Sequence, residues 1–177
     1  MRISSSFEDG ILEKIRLLYE SSFPKEEKKP FPIMLKKLRE GKMTFFAIFD
    51  DDDTFAGFML TVDNGRLILL DYFAIMPDKR GGGIGSFALM ELCKTYSNRD
   101  VVIEIEDERE NTPDRADRIR RKSFYLKCGM KIMPFEISLY GVKMRVLTNG
   151  ADVDFDSYHS IYREVFGESV AKNILLI

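Results

Sequence analysis

The stretch Ile75-Met76-Pro77-Asp78-Lys79-Arg80-Gly81-Gly82-Gly83-Ile84-Gly85-Ser86 decides the fold. Before it, Arg66–Ile75 is nearly continuous in apolar residues from Leu67 onward, the pattern of a strand covered on both faces. After it, Phe87, Leu89, Met90, Leu92 and Cys93 mark a helix from Ser86 to about Tyr96, and Val101–Ile105 reads as the next strand. Strand, glycine-rich loop, helix and strand make a β-loop-α-β unit, which predicts a parallel strand pair. Several residues without Cβ just before a helix let backbone N–H groups turn toward one anion at the helix's positive end, so the loop reads as a phosphate cradle. Two familiar cradles do not fit: no Gly-Lys-Ser/Thr follows, and the glycine spacing is not G-x-G-x-x-G.

Upstream, Phe7, Ile11, Leu12, Ile15, Leu18 and Tyr19 recur at helical spacing behind Ser4-Ser5-Ser6, which could cap a helix. Ser21-Ser22-Phe23-Pro24 should end it. The charged run Lys25–Lys29 then reads as a polar, mobile and exposed link to a short helix through Met34, Leu35 and Leu38. Thr44–Phe49, Thr54–Val62 and Arg66–Ile75 follow as an antiparallel meander, with Asp63-Asn64-Gly65 as a hairpin turn. Downstream, an acidic loop over 106–114 leads to an arginine-rich helix over 115–128, then to two strand candidates, Lys131–Phe135 and Ile137–Leu147. A short acidic link after Asn149-Gly150 precedes a helix around Phe155–Phe166 and a terminal apolar Ile174–Ile177. The fold class expected is α/β (α+β).

The chain has 177 residues, 45% of them hydrophobic, with 27 basic and 29 acidic side chains and a net charge of −2. That length suits one domain over residues 1–177. The near-neutral balance lacks the basic excess by which nucleic-acid binders neutralise phosphates, and no apolar run reaches the roughly 18 residues of a membrane span. One histidine, His159, and two cysteines, Cys93 and Cys128, leave too few ligands for the common structural zinc sets, so no metal is expected. His159 reads as a helix residue, and the two thiols as reduced cysteines of a cytoplasmic protein.

Residues Ile75–Gly85 fit V-x-P-x-x-R-G-x-G-I-G, and this segment resembles the coenzyme A loop of the GNAT acyltransferases, with Arg80, Gly83 and Gly85 on the family's motif positions. A second segment, Ser123-Phe124-Tyr125-Leu126-Lys127-Cys128-Gly129-Met130, resembles the family's F-Y-x-x-x-G-F/M segment. The element order agrees over roughly residues 7–147. The resemblance implies a mostly antiparallel central sheet flanked by helices, with a splayed parallel strand pair at the cofactor site. It implies acetyl-CoA as cosubstrate, its pyrophosphate on Arg80, Gly81, Gly82, Gly83, Ile84, Gly85 and Ser86, and its pantetheine and acyl carbonyl on backbone groups of Phe73, Ala74 and Ile75. Tyr125 matches the tyrosine that protonates the coenzyme A sulfur. One departure stands out: Arg118 occupies a position where the family often has asparagine.

Acyl transfer from a thioester to an amine needs a neutral amine, a stabilised oxyanion and a protonated leaving thiol. A carboxylate can take the ammonium's proton. Glu104 and Glu106 alternate with Val101, Ile103 and Ile105, which puts both carboxylates on one face of a strand. Ile103-Glu104-Ile105 also resembles the L-E-V segment of peptide-type family members, so Glu104 is the expected base and Glu106 the runner-up. Glu26, Glu27 and the acidic 106–110 run could guide a cationic amine. The arginines over 115–122 could meet the coenzyme A 3′-phosphate or form a solvated face, the second being preferred. About 147 residues suffice for the core. Residues 148–177 are an extension that could complete the sheet, cover the acceptor cleft or pair with a second subunit in a homodimer. The function expected is N-acetyl transfer to a primary amine, the alternative a non-catalytic acyl-CoA sensor.

Overall fold

The computed structural model describes residues 1–150 and 153–177, with the backbone alone at Glu26. Eight strands, β1 (Arg2–Ser4), β2 (Met43–Phe49), β3 (Phe55–Asp63), β4 (Leu67–Ile75), β5 (Asp100–Glu106), β6 (Lys131–Leu139), β7 (Val142–Thr148) and β8 (Ile174–Leu176), follow one another in the order β1-β2-β3-β4-β5-β7-β6-β8, mostly antiparallel with one parallel pair. The chain gathers into two compact units, Met1–Val62 with Leu70–Lys94, and Asp63–Leu69 with Thr95–Ile177.

In the first unit β1 (Arg2–Ser4) runs antiparallel to β2 (Met43–Phe49), and β2 antiparallel to β3 (Phe55–Asp63). β4 (Leu67–Ile75) enters from the second unit. Helices α1 (Asp9–Ser22) and α2 (Phe31–Arg39) bring Ile15, Leu18, Tyr19 and Met34 into a core with Phe45, Ile48, Phe58 and Leu60, all buried. Helix α3 (Ile84–Thr95) buries Ile84, Ala88, Leu89 and Leu92, one stripe at i, i+4, i+5 and i+8.

Two expectations fail here, both because distant partners outbid local preference. No serine caps α1: Ser4 lies in β1 opposite Ala47, and the helix begins only at Asp9, behind Glu8. The link between α1 and α2 is fastened rather than loose. The Tyr72 hydroxyl donates to the Glu27 carbonyl at 2.7 Å and accepts the Lys29 N–H at 3.1 Å. The Tyr19 hydroxyl donates to the Lys29 carbonyl at 2.9 Å. Lys29 Nζ donates to both Asp71 oxygens at 2.8 and 3.0 Å, and the Asp71 side chain is only 4% exposed.

The second unit opens with the Asp63–Arg66 turn. Asp63 Oδ1 accepts the Gly65 N–H at 2.6 Å, and Asn64 Oδ1 accepts those of Arg66 and Leu67 at 3.1 and 3.0 Å. Then come β5 (Asp100–Glu106), α4 (Arg115–Lys127), β6 (Lys131–Leu139), β7 (Val142–Thr148), α5 (Phe155–Phe166), α6 (Glu168–Ala171) and β8 (Ile174–Leu176). The break between β6 and β7 falls at Tyr140-Gly141, not at Glu136 as the sequence suggests. Both turn residues have positive φ, 49° and 88°, the geometry of a two-residue hairpin with Leu139 opposite Val142. The irregularity around Pro134 is a register shift between Ile132 and Glu136 inside one strand. β8 adds to the edge of β6, Ile137 opposite Leu176. Part of the acidic link expected after Gly150 lies outside the described residues.

Among the described residues, no helix is long and apolar enough to cross a membrane.

Candidate functional site

In the first unit the glycine loop hangs between two anchored points. Met76 N–H donates to the Ala56 carbonyl at 2.9 Å, and Lys79 Nζ reaches Asp50 Oδ2 at 2.5 Å and Thr54 Oγ1 at 3.1 Å. Arg80 Nε turns back onto the Ile75 carbonyl at 3.0 Å. Phe73, Ala74 and Ile75 form the last residues of β4, where β3 comes close: a Cβ on Gly57 would lie 2.4 Å from the Ala74 carbonyl oxygen. Gly57 therefore sets the approach of the strand that leads into the loop, a role no local signal marks.

Beyond Arg80, Gly81 and Gly83 adopt φ of 87° and 81°, a region where side chains other than glycine's are strained. Phe87 N–H closes the first turn of α3 on the Gly83 carbonyl at 3.0 Å. The N–H groups of Ile84, Gly85 and Ser86 are thus in the first turn, where a helix supplies no acceptor of its own. No acidic side chain lies in that turn. Gly81, Gly82 and Gly83 are exposed, with no atom within 4 Å of where a Cβ would sit.

In the second unit Glu104 and Glu106 alternate along β5 with Ile103 and Ile105, which are buried. The Glu106 carboxylate is spoken for. Its Oε1 meets Arg118 Nη2 at 2.9 Å and its Oε2 meets Arg121 Nη2. Glu104 has a different environment: its Oε1 accepts the hydroxyls of Tyr158 and Tyr162 on α5, the second at 2.6 Å. Tyr125 lies half-buried on α4, its ring against that of Phe124 at 5.0 Å between centroids. Burial pushes its phenol up to about 12, against a smaller downward pull from the Arg121 charge, so it stays protonated across the neutral range.

The arginine-rich helix is the solvated face expected of it at Arg115, Arg120 and Arg121, which are exposed, but not at Arg118. Arg118 is buried, 8% exposed, and gathers Glu106, Glu110 at 3.4 Å, Asp114 at 3.0 Å and the Asp107 carbonyl at 3.2 Å. Lys122 and Arg145 meet Glu108, and Arg109 joins Asp107 to Glu136 at 2.7 and 2.6 Å. The acidic run 106–110 is thereby paired within the unit, which argues against it as a lure for cations. The Glu26 side chain lies outside the described residues.

Replacing Arg118 with alanine is expected to lower the unfolding free energy by about 3 kcal/mol, the low end for breaking a buried pair, because Arg121 stays on Glu106. Arg120, exposed and paired with Asp117 at 2.8 Å, should cost under about 1 kcal/mol when replaced likewise. Equal denaturation midpoints for the two variants would show that the network contributes nothing.

His159 holds the Ala171 carbonyl at 2.9 Å through Nε2 and stacks on Phe155, joining α5 to α6. Cys93 and Cys128 are not joined in a disulfide. No three His, Cys, Asp or Glu side chains cluster to hold a metal among the described residues.

A mostly antiparallel sheet with one parallel pair, flanked by helices, defines a mixed α/β class. The sequence profile of the GNAT acetyltransferase family matches residues 12–130, and the chain belongs to that family. Among solved structures it is similar to a GNAT-family protein from Bacteroides thetaiotaomicron, with a TM-score of 0.78 and 24% identity over 94% of this chain and 99% of that one. It is also similar to the spermidine N-acetyltransferase of Vibrio cholerae in complex with CoA and spermine, with a TM-score of 0.64 and 12% identity over 83% and 93%. An aminoglycoside 6′-N-acetyltransferase complexed with coenzyme A gives a TM-score of 0.66 and 16% identity over 87% and 100%. At these identities the likeness is one of fold. No curated protein sequence matches the chain.

Proposed function

We propose that this chain transfers an acetyl group from acetyl-CoA to a primary amine by direct attack of the amine on the thioester. The observation that carries the reading is the Arg80–Ser86 loop, whose positive-φ glycines at 81 and 83 lead into an amide-rich helix start inside the family-matched region. The loop amides would hold the pyrophosphate, a group suited to a helix N-terminus. Backbone groups of Phe73, Ala74 and Ile75 would hold the pantetheine and the acyl carbonyl.

Glu104 takes a proton from the bound ammonium. The amine nitrogen then attacks the thioester carbon, the tetrahedral oxyanion collapses, and the C–S bond breaks with its electron pair on sulfur. One of the two protons left on the nitrogen is lost and the sulfur gains one, leaving a secondary amide and free coenzyme A. A phenol held at about 12 keeps its proton more firmly than a thiolate of ordinary pKa about 8.5 can draw it. Tyr125 therefore serves the leaving sulfur as a hydrogen-bond donor, with full transfer completed from the base or solvent.

The test is an acceptor screen that reads free coenzyme A, with spermidine, an aminoglycoside and a peptide α-amine as the panel. Amine-dependent thiol release is expected for at least one member. Tight binding of acetyl-CoA without release for any of them would replace the enzyme with a sensor of acyl-CoA. Calorimetric binding of ATP or NAD, with none of acetyl-CoA, would overturn the cofactor assignment as well.

A further inference from the structure

Helix α5 lies beyond the family-matched residues 12–130, yet it reaches the carboxylate on which the proposed chemistry turns. Tyr158 and Tyr162 are four residues apart, so their side chains leave one face of the helix. Both are buried, 0% and 2% exposed, and both hydroxyls donate to the same oxygen, Oε1 of Glu104. The helix is set in place independently of this contact. Asp154 caps it by accepting the Ser157 N–H at 2.8 Å, Asn64 Nδ2 donates to Ser160 Oγ at 3.0 Å, and His159 ties it to α6. The tyrosines also stack edge-on, 5.8 Å between centroids, which restricts their rings.

We infer that Tyr158 and Tyr162 are positioning residues for Glu104, so that the C-terminal helix belongs to the proton-transfer apparatus and is more than a cover for the sheet. The inference rests on the proposed reading of Glu104 as the base. Two donors at one oxygen fix the orientation of the carboxylate, and orientation governs the efficiency of a general base. Hydrogen bonds to the charged form also favour it over the neutral form.

On β5 the same face carries Glu106, held by Arg118 and Arg121 of α4. On β7 the residue opposite Glu104 is the apolar Val146, and the adjoining Arg145 is engaged by Glu108.

The experiment compares Tyr158→Phe, Tyr162→Phe and the double variant with the parent and with Glu104→Gln, using the panel amine that is turned over fastest. Each single variant is expected to lower kcat about 10-fold and the double variant about 100-fold, with KM for acetyl-CoA unchanged. The acid limb of the kcat/KM profile should move to higher pH as the donors are removed, because the charged carboxylate loses its support. Thermal melting checks that the variants fold; should the double variant fail, the single ones decide. An unchanged kcat and acid limb in the folded Phe variants would overturn the positioning role. If Glu104→Gln removes the acid limb while the Phe variants keep it, the positioning role alone falls. If Glu104→Gln is fully active, or no panel amine is turned over, the base reading falls and takes the positioning role with it.

Discussion

Replacing Glu104 with glutamine is expected to lower kcat by about 100-fold or more at neutral pH, the usual contribution of a positioned general base. Glutamine keeps the shape and still accepts the tyrosine hydroxyls, so the change removes basicity and leaves the packing of β5 against α5. An alkylammonium with a pKa of about 10.4 is neutral in only about one molecule in 2,500 at pH 7, which is why the base matters there. The deficit should therefore shrink as the pH rises toward 10 and the acceptor deprotonates unaided. Tyr125→Phe should cost less, about 10-fold, since a thiol is a good leaving group without help. Rate against pH for both variants tests the pair. Unchanged amine-dependent release in both would remove these residues from the mechanism.

Replacing Gly83 with valine is expected to abolish acetyl-CoA binding at concentrations that saturate the parent, a loss of at least about 100-fold in affinity. At φ of 81° a β-branched residue costs about 1–3 kcal/mol of strain if the loop holds its shape. If the loop relaxes instead, the N–H groups leave the anion's position. Gly82→Ala separates conformation from crowding. Gly82 has no positive φ, and an added Cβ there meets open space, so the variant should fold as stably as the parent. Its affinity should still fall if the pyrophosphate lies against that backbone. Calorimetry with acetyl-CoA beside thermal melting reads the two effects. Parent-like affinity for Gly83→Val would show that the loop is turn chemistry alone.

Much of the fold was legible because it is local. Alternation along β5, the apolar run of β4, the turn residues Asp63-Asn64-Gly65 and the apolar positions of α3 are properties of consecutive residues, and those elements lie within about two residues of their expected bounds. The misreadings share a different property. Ser4 pairs with Ala47, Lys29 with Asp71, and Arg118 with residues of β5 and of the loop that follows it. In each case a residue that looks like a cap, a solvated link or a surface charge has a partner that its neighbours in sequence do not announce. The β6–β7 break was misplaced because Pro134 and the surrounding irregularity disturb the alternation before the true turn is reached.

The candidate site divides along the same line. The Arg80–Ser86 loop could be read from sequence because its chemistry is its backbone: consecutive glycines before a helix constrain φ and leave amides open whatever the rest of the chain does. The carboxylates of Glu104 and Glu106 could likewise be placed on one strand face by period alone. Which of them is held by guanidinium groups and which by phenols was decided only by tertiary structure. The donors to Glu104 lie 54 and 58 residues away, on a helix in which no motif marks them. Hydrogen-bond partners are fixed by where elements dock. Docking depends on buried surface summed over many residues, so no short motif carries it.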